Sequence, residues 1–185
     1  ENEMDSYEFY KKGRDAAWKA LIKSGASSLP VSLDKVAAAY KIDIISAKKA
    51  KEKGLINGNI NGLKVISVGE TRTVIVDERG SRGETRFLMA KGIGLCLLAK
   101  DRISREIEYE AVVFARDLLM PATVLAGLGV RNASDIEMIC GVSEKAAEKR
   151  AKRLEELYKR NRFNEHPLER TVRKNFEKFI INTVI

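Results

Sequence analysis

Apolar residues recur at helical spacing over most of this chain and alternate in only one stretch. From about Asp5 to Ser24, Tyr7, Tyr10, Ala17, Trp18, Leu21 and Ile22 make one apolar stripe, which Gly25 and the run to Pro30 interrupt. Trp18 and the tyrosines are read as core packing. Ser32 opens a second helical pattern carrying Leu33, Val36, Ala37 and Tyr40. The period then changes. Residues 42–46 (IDIIS) read as a strand and 48–53 (KKAKEK) as a short basic helical turn closed by Gly54. Three more strands are predicted as a β-meander over 55–60, 63–68 and 72–77. Asn61-Gly62 and Gly69-Glu70-Thr71 lie between them as turn signals.

The strongest patterning lies in residues 81–121. Ser81 and Glu84 have the spacing of a capping box, which predicts a helix from about Arg82. Phe87, Leu88, Ala90, Ile93, Leu95, Leu97 and Leu98 make that helix apolar around most of its girth, and such a helix must be buried. Ser104 can cap the next helix, where Ile107, Ala111, Phe114, Ala115, Leu118 and Leu119 form the apolar face until Pro121 ends it. A buried helix hairpin is expected.

Beyond Pro121 the pattern is helical to the end. A short helix over 122–129 leads to Ser134-Asp135-Ile136-Glu137, a second capping-box spacing, and a helix to Cys140. Gly141-Val142-Ser143 is a tight turn, followed by a long helix from Glu144 to about Arg160, with Ile136, Ile139, Val142, Ala146, Ala147 and Leu154 facing inward. Short helix, turn and longer helix resemble a helix-turn-helix, with residues 144–153 in the recognition-helix place. Lys145, Lys149, Arg150, Lys152 and Arg153 are the candidate nucleic-acid contacts there. A helix pair joined this way is common in all-α packing, and the solvated-face reading of these residues is the favoured one. The final segment starts at Pro167, a good first helical residue, and carries Leu168, Val172, Phe176, Phe179 and Ile180. Its end, Ile180 to Ile185, is too apolar to stay in water and should dock on the core or on a second subunit, giving a homodimer.

The 81–121 stretch also carries a resemblance. Arg86-Phe87-x-x-Ala90, Gly94 and the block Glu110-Ala111-x-x-Phe114-Ala115-x-x-Leu118-Leu119-Met120-Pro121 resemble the ImmA/IrrE family of zincin-like metallopeptidases. The resemblance implies an α+β fold: a zincin-like core of helices with a small three- to four-stranded antiparallel sheet over residues 1–130. A helix-turn-helix-like helical segment, 131–185, would pack on it. It also implies an H-E-x-x-H helix, in which two imidazoles one turn apart hold zinc and a Glu between them is the general base. Here Lys91, Gly92 and Leu95 stand at those positions, and Glu110 stands at the implied third-ligand position. A protonated Lys is no ligand, Leu has no donor atom and Gly has nothing to take a proton from water. One carboxylate does not hold a zinc ion. The implied fold is therefore kept and the implied activity is argued against: no zinc, no catalytic residue, a pseudo-peptidase. Lys91 and Glu110 are expected to form an ion pair in place of the metal.

Composition changes this picture little. Hydrophobic residues at 44% and charged residues at 32% of 185 suit a globular domain. No apolar run is long enough to span a membrane and the polar start has no signal-peptide pattern, so the cytoplasm is the expected location. Cys96 and Cys140 sit in apolar helical contexts and are expected to be reduced core thiols. Charge adds more. The net charge is +8, and residues 144–180 carry 12 Lys or Arg against seven Glu, so most of the excess lies near the C-terminus. Two functions follow as expectations, and an active zinc metallopeptidase with relocated ligands is a third, less favoured because the chain lacks the imidazoles. One is a regulatory protein that binds a protein partner through the old substrate cleft; by the resemblance, that partner is a helix-turn-helix repressor of a phage or mobile element. The other is a DNA-binding regulator acting through residues 134–153.

Overall fold

The computed structural model describes residues 3–183. Helix α1 (Glu3–Lys23) leads to α2 (Leu33–Ala39), which is capped by the Ser32 side chain as the pattern predicts. Then come β1 (Ile42–Ser46), α3 (Ala47–Glu52), β2 (Leu63–Val68) and β3 (Thr71–Val76). The hairpin helices are α4 (Arg82–Leu98) and α5 (Arg105–Leu119), and both predicted caps form. At the start of α4, Ser81 N–H donates to Glu84 Oε2 at 2.7 Å while Ser81 Oγ accepts from Glu84 N–H at 3.2 Å. The C-terminal part is α6 (Ala122–Gly127), α7 (Ala133–Cys140), α8 (Glu144–Arg160), α9 (Pro167–Asn175) and α10 (Glu177–Asn182).

The α+β class holds, but three local expectations do not. The sheet has three strands in the order β1-β3-β2, and it is mixed: β1 runs parallel to β3 and β2 antiparallel to it. Residues 55–60 form no strand. Asn57-Gly58-Asn59 breaks the segment, and its apolar residues serve a different purpose: Ile56 joins Ala50 of α3 and Ile75 of β3 in a second small core on the far side of the sheet. The α7 cap is Asn132 rather than Ser134, with Asn132 Oδ1 accepting from Asp135 N–H at 2.9 Å.

One main core runs from Ala17 in α1 to Phe176 after α9. Helix α4 lies in its middle, between the sheet and α5, and α1 packs along α5. Glycines set these spacings. A Cβ on Gly94 would stand 2.8 Å from the Phe114 ring, and one on Gly13 would run into the Glu110 carbonyl oxygen. Trp18 is buried as expected, whereas Tyr7 is 55% exposed. At the C-terminus Val172 and Phe176 are fully buried and Ile180 is partly covered by the core, but Ile181 is exposed; Val184 and Ile185 lie outside the described residues.

Candidate functional site

The site is built by α4, the edge of β2, and the start of α5. Arg72 of β3 fixes the end of α4: its guanidinium donates to the carbonyls of Cys96 at 2.6 Å, Ala99 at 2.8 Å and Lys100 at 3.1 Å. Those carbonyls end the helix without internal partners, so a charged donor there both caps and clamps it to the sheet. One turn earlier, strand and helix touch. A Cβ on Gly92 would fall on the Cγ1 methyl of Val74 and within 3.1 Å of its Cγ2. Val74 is fully buried in β3, and a β-branched side chain has little χ1 freedom to move aside. The position between Lys91 and Leu95 has no room for any side chain.

Leu95 is buried at 2% exposure. Lys91 is partly exposed, and its Nζ lies 2.5 Å from Glu108 Oε2 on α5. The expected ion pair of Lys91 with Glu110 is not formed. Glu110 points to the opposite side of α5, toward α1, where its buried carboxylate meets Lys12 Nζ at 3.7 Å. The reason is helical geometry: two residues apart on a helix means opposite faces. Burial pushes the Glu110 carboxyl above the usual range, an effect the Lys12 charge opposes. Lys91, Leu95 and Glu108 instead line one open groove of about 420 Å³ with Leu63 and Val65 of β2, Leu88 of α4 and Ile103 of the connecting loop. Strand β2 is hydrogen-bonded on one side only, so its outer edge is available along this groove.

The profile of the IrrE N-terminal-like domain matches residues 37–152, from the end of α2 to the middle of α8. The chain belongs to the ImmA/IrrE family. No curated protein matches it. Membership makes the metal a question of fit. The ImmA/IrrE zinc would need Lys91, Leu95 and one carboxylate as ligands, and neither of the first two carries a donor suited to zinc at neutral pH. Among the described residues no three His, Cys, Asp or Glu side chains gather where they could hold a metal ion. The residues present at this ImmA/IrrE site do not fit zinc.

The α7–α8 pair has the predicted turn: Gly141 adopts φ 64° and Ser143 caps α8. Its surroundings weaken the nucleic-acid assignment. Arg150 is not on the surface. It is 1% exposed, with its guanidinium on Asp117 Oδ1 at 2.8 Å and on the Met120 carbonyl at 2.5–2.8 Å. The residue lies on the inward stripe of Ala147 and Leu154 and ties α8 to the end of α5. Arg153 is half-buried, paired with Glu156 at 2.9 Å and near the Tyr10 ring. Lys145, Lys149 and Lys152 are exposed. The turn that precedes α8 is covered, whereas Glu144 and Lys145 of its first turn are exposed. A Cβ on Gly83 of α4 would run into the Ser143 backbone nitrogen, and Arg86 donates to the carbonyls of Gly141 at 3.1 Å and Val31 at 3.0 Å.

Sequence reasoning missed Val74 and Glu108. The signal for Glu108 was its place two residues from Glu110, which puts the two on different faces of α5. Val74 had no local signal. Both cysteines are free and buried as expected, and burial pushes their thiols up, Cys96 to about 11 and Cys140 to about 12. At neutral pH neither is a nucleophile. Among the described residues no helix is long and apolar enough to cross a membrane.

Proposed function

We propose that this protein is a non-catalytic, regulatory member of its family that acts in the cytoplasm by binding a protein partner in the groove beside α4. By what the family implies, the partner is a helix-turn-helix repressor of a phage or mobile element. The packing of Val74 against Gly92 carries the reading. Hydrolysis in the implied mechanism needs a general base at this position, and the space for its side chain is filled by the sheet. What is left supports recognition. The groove offers apolar walls at Leu63, Val65, Leu88, Leu95 and Ile103, a charge pair at its end, and the free edge of β2 for an extended segment.

The test is co-purification with the repressor of the same genetic element. Repressor should be retained uncleaved, with or without added zinc. Val65→Arg or Ile103→Arg should release it, since each puts a charge on an apolar wall. Zinc-dependent cleavage, or retention untouched by both changes, would overturn the proposal. The DNA-binding alternative rests on the exposed Lys145, Lys149 and Lys152, but the covered turn before α8 and the buried Arg150 count against it. A gel shift at two salt concentrations separates the two, because phosphate contacts give a steep salt dependence.

A further inference from the structure

The pair Asn-Gly occurs twice in this chain, at Asn57-Gly58 and at Asn61-Gly62. Glycine leaves its nitrogen unhindered and its backbone free to turn, so the side chain of a preceding asparagine can meet that nitrogen. The two pairs are held differently. The Gly62 carbonyl accepts from Asp77 N–H at 2.8 Å. Arg79 and, to a lesser degree, the Gly62 N–H hold the Asp77 carboxyl down at about 2. Gly62 is also half-buried, at φ 77°, immediately before β2. Asn57 and Gly58 are both exposed, and among the described residues the peptide between them makes no hydrogen bond. A Cβ on Gly58 would meet nothing within 4 Å. The residues on either side are fixed: Ile56 sits in the second small core with Ala50 and Ile75, and Asn59 Oδ1 accepts from Lys51 Nζ at 2.8 Å.

We infer that Asn57-Gly58 is a self-modification site, at which the chain deamidates itself and thereby loosens α3 from the sheet. The Gly58 nitrogen gives its proton to water and attacks Asn57 Cγ. The new N–C bond closes a cyclic imide, the Cγ–Nδ2 bond breaks, and the nitrogen leaves as ammonia with the proton it needs taken from water. Water then opens one of the two imide carbonyls and leaves aspartate or isoaspartate at position 57. No reactant besides water is consumed. Negative charge develops during the attack in an open groove of about 390 Å³ that Lys48 and Lys51 line together with Gly58 and Asn59. Those ammonium groups favour it. Asp77 and Glu78 share the groove, the former paired with Arg79. Isoaspartate routes the main chain through the side-chain methylene, which lengthens the loop between its two fixed points and pulls on Ile56.

The purified whole chain is aged in warm neutral buffer, either folded or in concentrated denaturant. Peptide mapping by mass spectrometry locates each conversion, and an isoaspartate methyltransferase labels the isoaspartate product. Unfolded, the two sites should convert at similar rates. Folded, position 57 should lead position 61 by roughly tenfold or more, because the Gly62 nitrogen is freed only when its hydrogen bonds break. Gly58→Ala, at an open position, should fold and should suppress conversion at position 57; if it does not fold, Asn57→Gln takes its place. Hydrogen exchange of the α3 amides should quicken in the aged chain and not in the aged variant. A folded chain that converts at neither position, converts equally at both, or converts first at position 61 overturns the inference. So does conversion at position 57 undiminished by Gly58→Ala, and so does unchanged exchange in α3 after conversion.

Discussion

Replacing Gly92 by Ala sets two effects of opposite sign against each other. Alanine in a helix interior is favoured over glycine by about 1 kcal/mol. Against that stands the Val74 contact: the new methyl falls on Val74 Cγ1 with Cγ2 only 3.1 Å away, in a side chain that is fully buried and stiff. Overpacking of this kind costs about 1–3 kcal/mol. The steric cost should outweigh the propensity gain, so Gly92→Ala is expected to destabilise by roughly 1 kcal/mol net, a Tm loss of about 2–4 °C for a chain of this size. Val74→Ala alone removes two methyl groups and leaves a hollow, at about 2 kcal/mol. In the double variant the methyl added at position 92 enters that hollow, so the double should be more stable than Val74→Ala and better than the sum of the singles by about 1–3 kcal/mol. Denaturant midpoints at constant m-value read all four corners of the cycle. A stabilising Gly92→Ala, or additivity within about 0.5 kcal/mol, would refute the steric argument.

Arg150→Ala removes the shorter of the two ion pairs of the buried Asp117 carboxylate, leaving its 3.3 Å contact with Arg116, and should cost about 1.5–3 kcal/mol, measured by chemical unfolding; a loss under about 1 kcal/mol would mean the pair is not structural. Gly83→Ala should destabilise despite better helix propensity, because the methyl meets the backbone of residues 142–143; unchanged or raised stability would refute that contact. Burial pushes the Glu169 carboxyl above its ordinary value of 4.5, although the Asn164 N–H and Arg14 pull it down. The native state then binds more protons than the unfolded one between 4.5 and the raised value, so this group adds stability as the pH falls through that window. Glu169→Gln should remove that gain, and superimposable pH profiles for the two proteins would disprove it. Finally, Lys149→Glu with Lys152→Glu, both exposed, should change stability by no more than about 0.5 kcal/mol and leave affinity for duplex DNA unaltered.

Helical periodicity was a good guide wherever burial covers one face. The stripe from Ile107 to Leu119, the Ser81 cap and the Gly141 turn all lie where local pattern placed them. Residues 55–60 misled because a short apolar segment beside turn residues can also serve a loop that roofs a sheet, as Ile56 does over Ile75. The parallel pairing of β1 with β3 is a long-range choice with no mark in either strand. Charge was read less well than apolarity. Arg150 falls three residues after Ala147 and four before Leu154, on the buried stripe, yet its chemistry suggested the surface. The site was legible as a loss: Lys91, Gly92 and Leu95 are visible in the sequence. What filled the loss was not, because Val74 is 18 residues away and Glu108 had to be told from Glu110 by the direction each faces.

The contact of Val74 with Gly92 also bears on evolutionary return. A side chain regained at position 92 alone meets an occupied core, and a smaller residue at position 74 alone opens a hole in the sheet's packing. Each first step is therefore selected against before the second can reward it. Two changes that help only together form a valley between this chain and its peptidase relatives. On the non-catalytic reading proposed above, this contact would work as a ratchet.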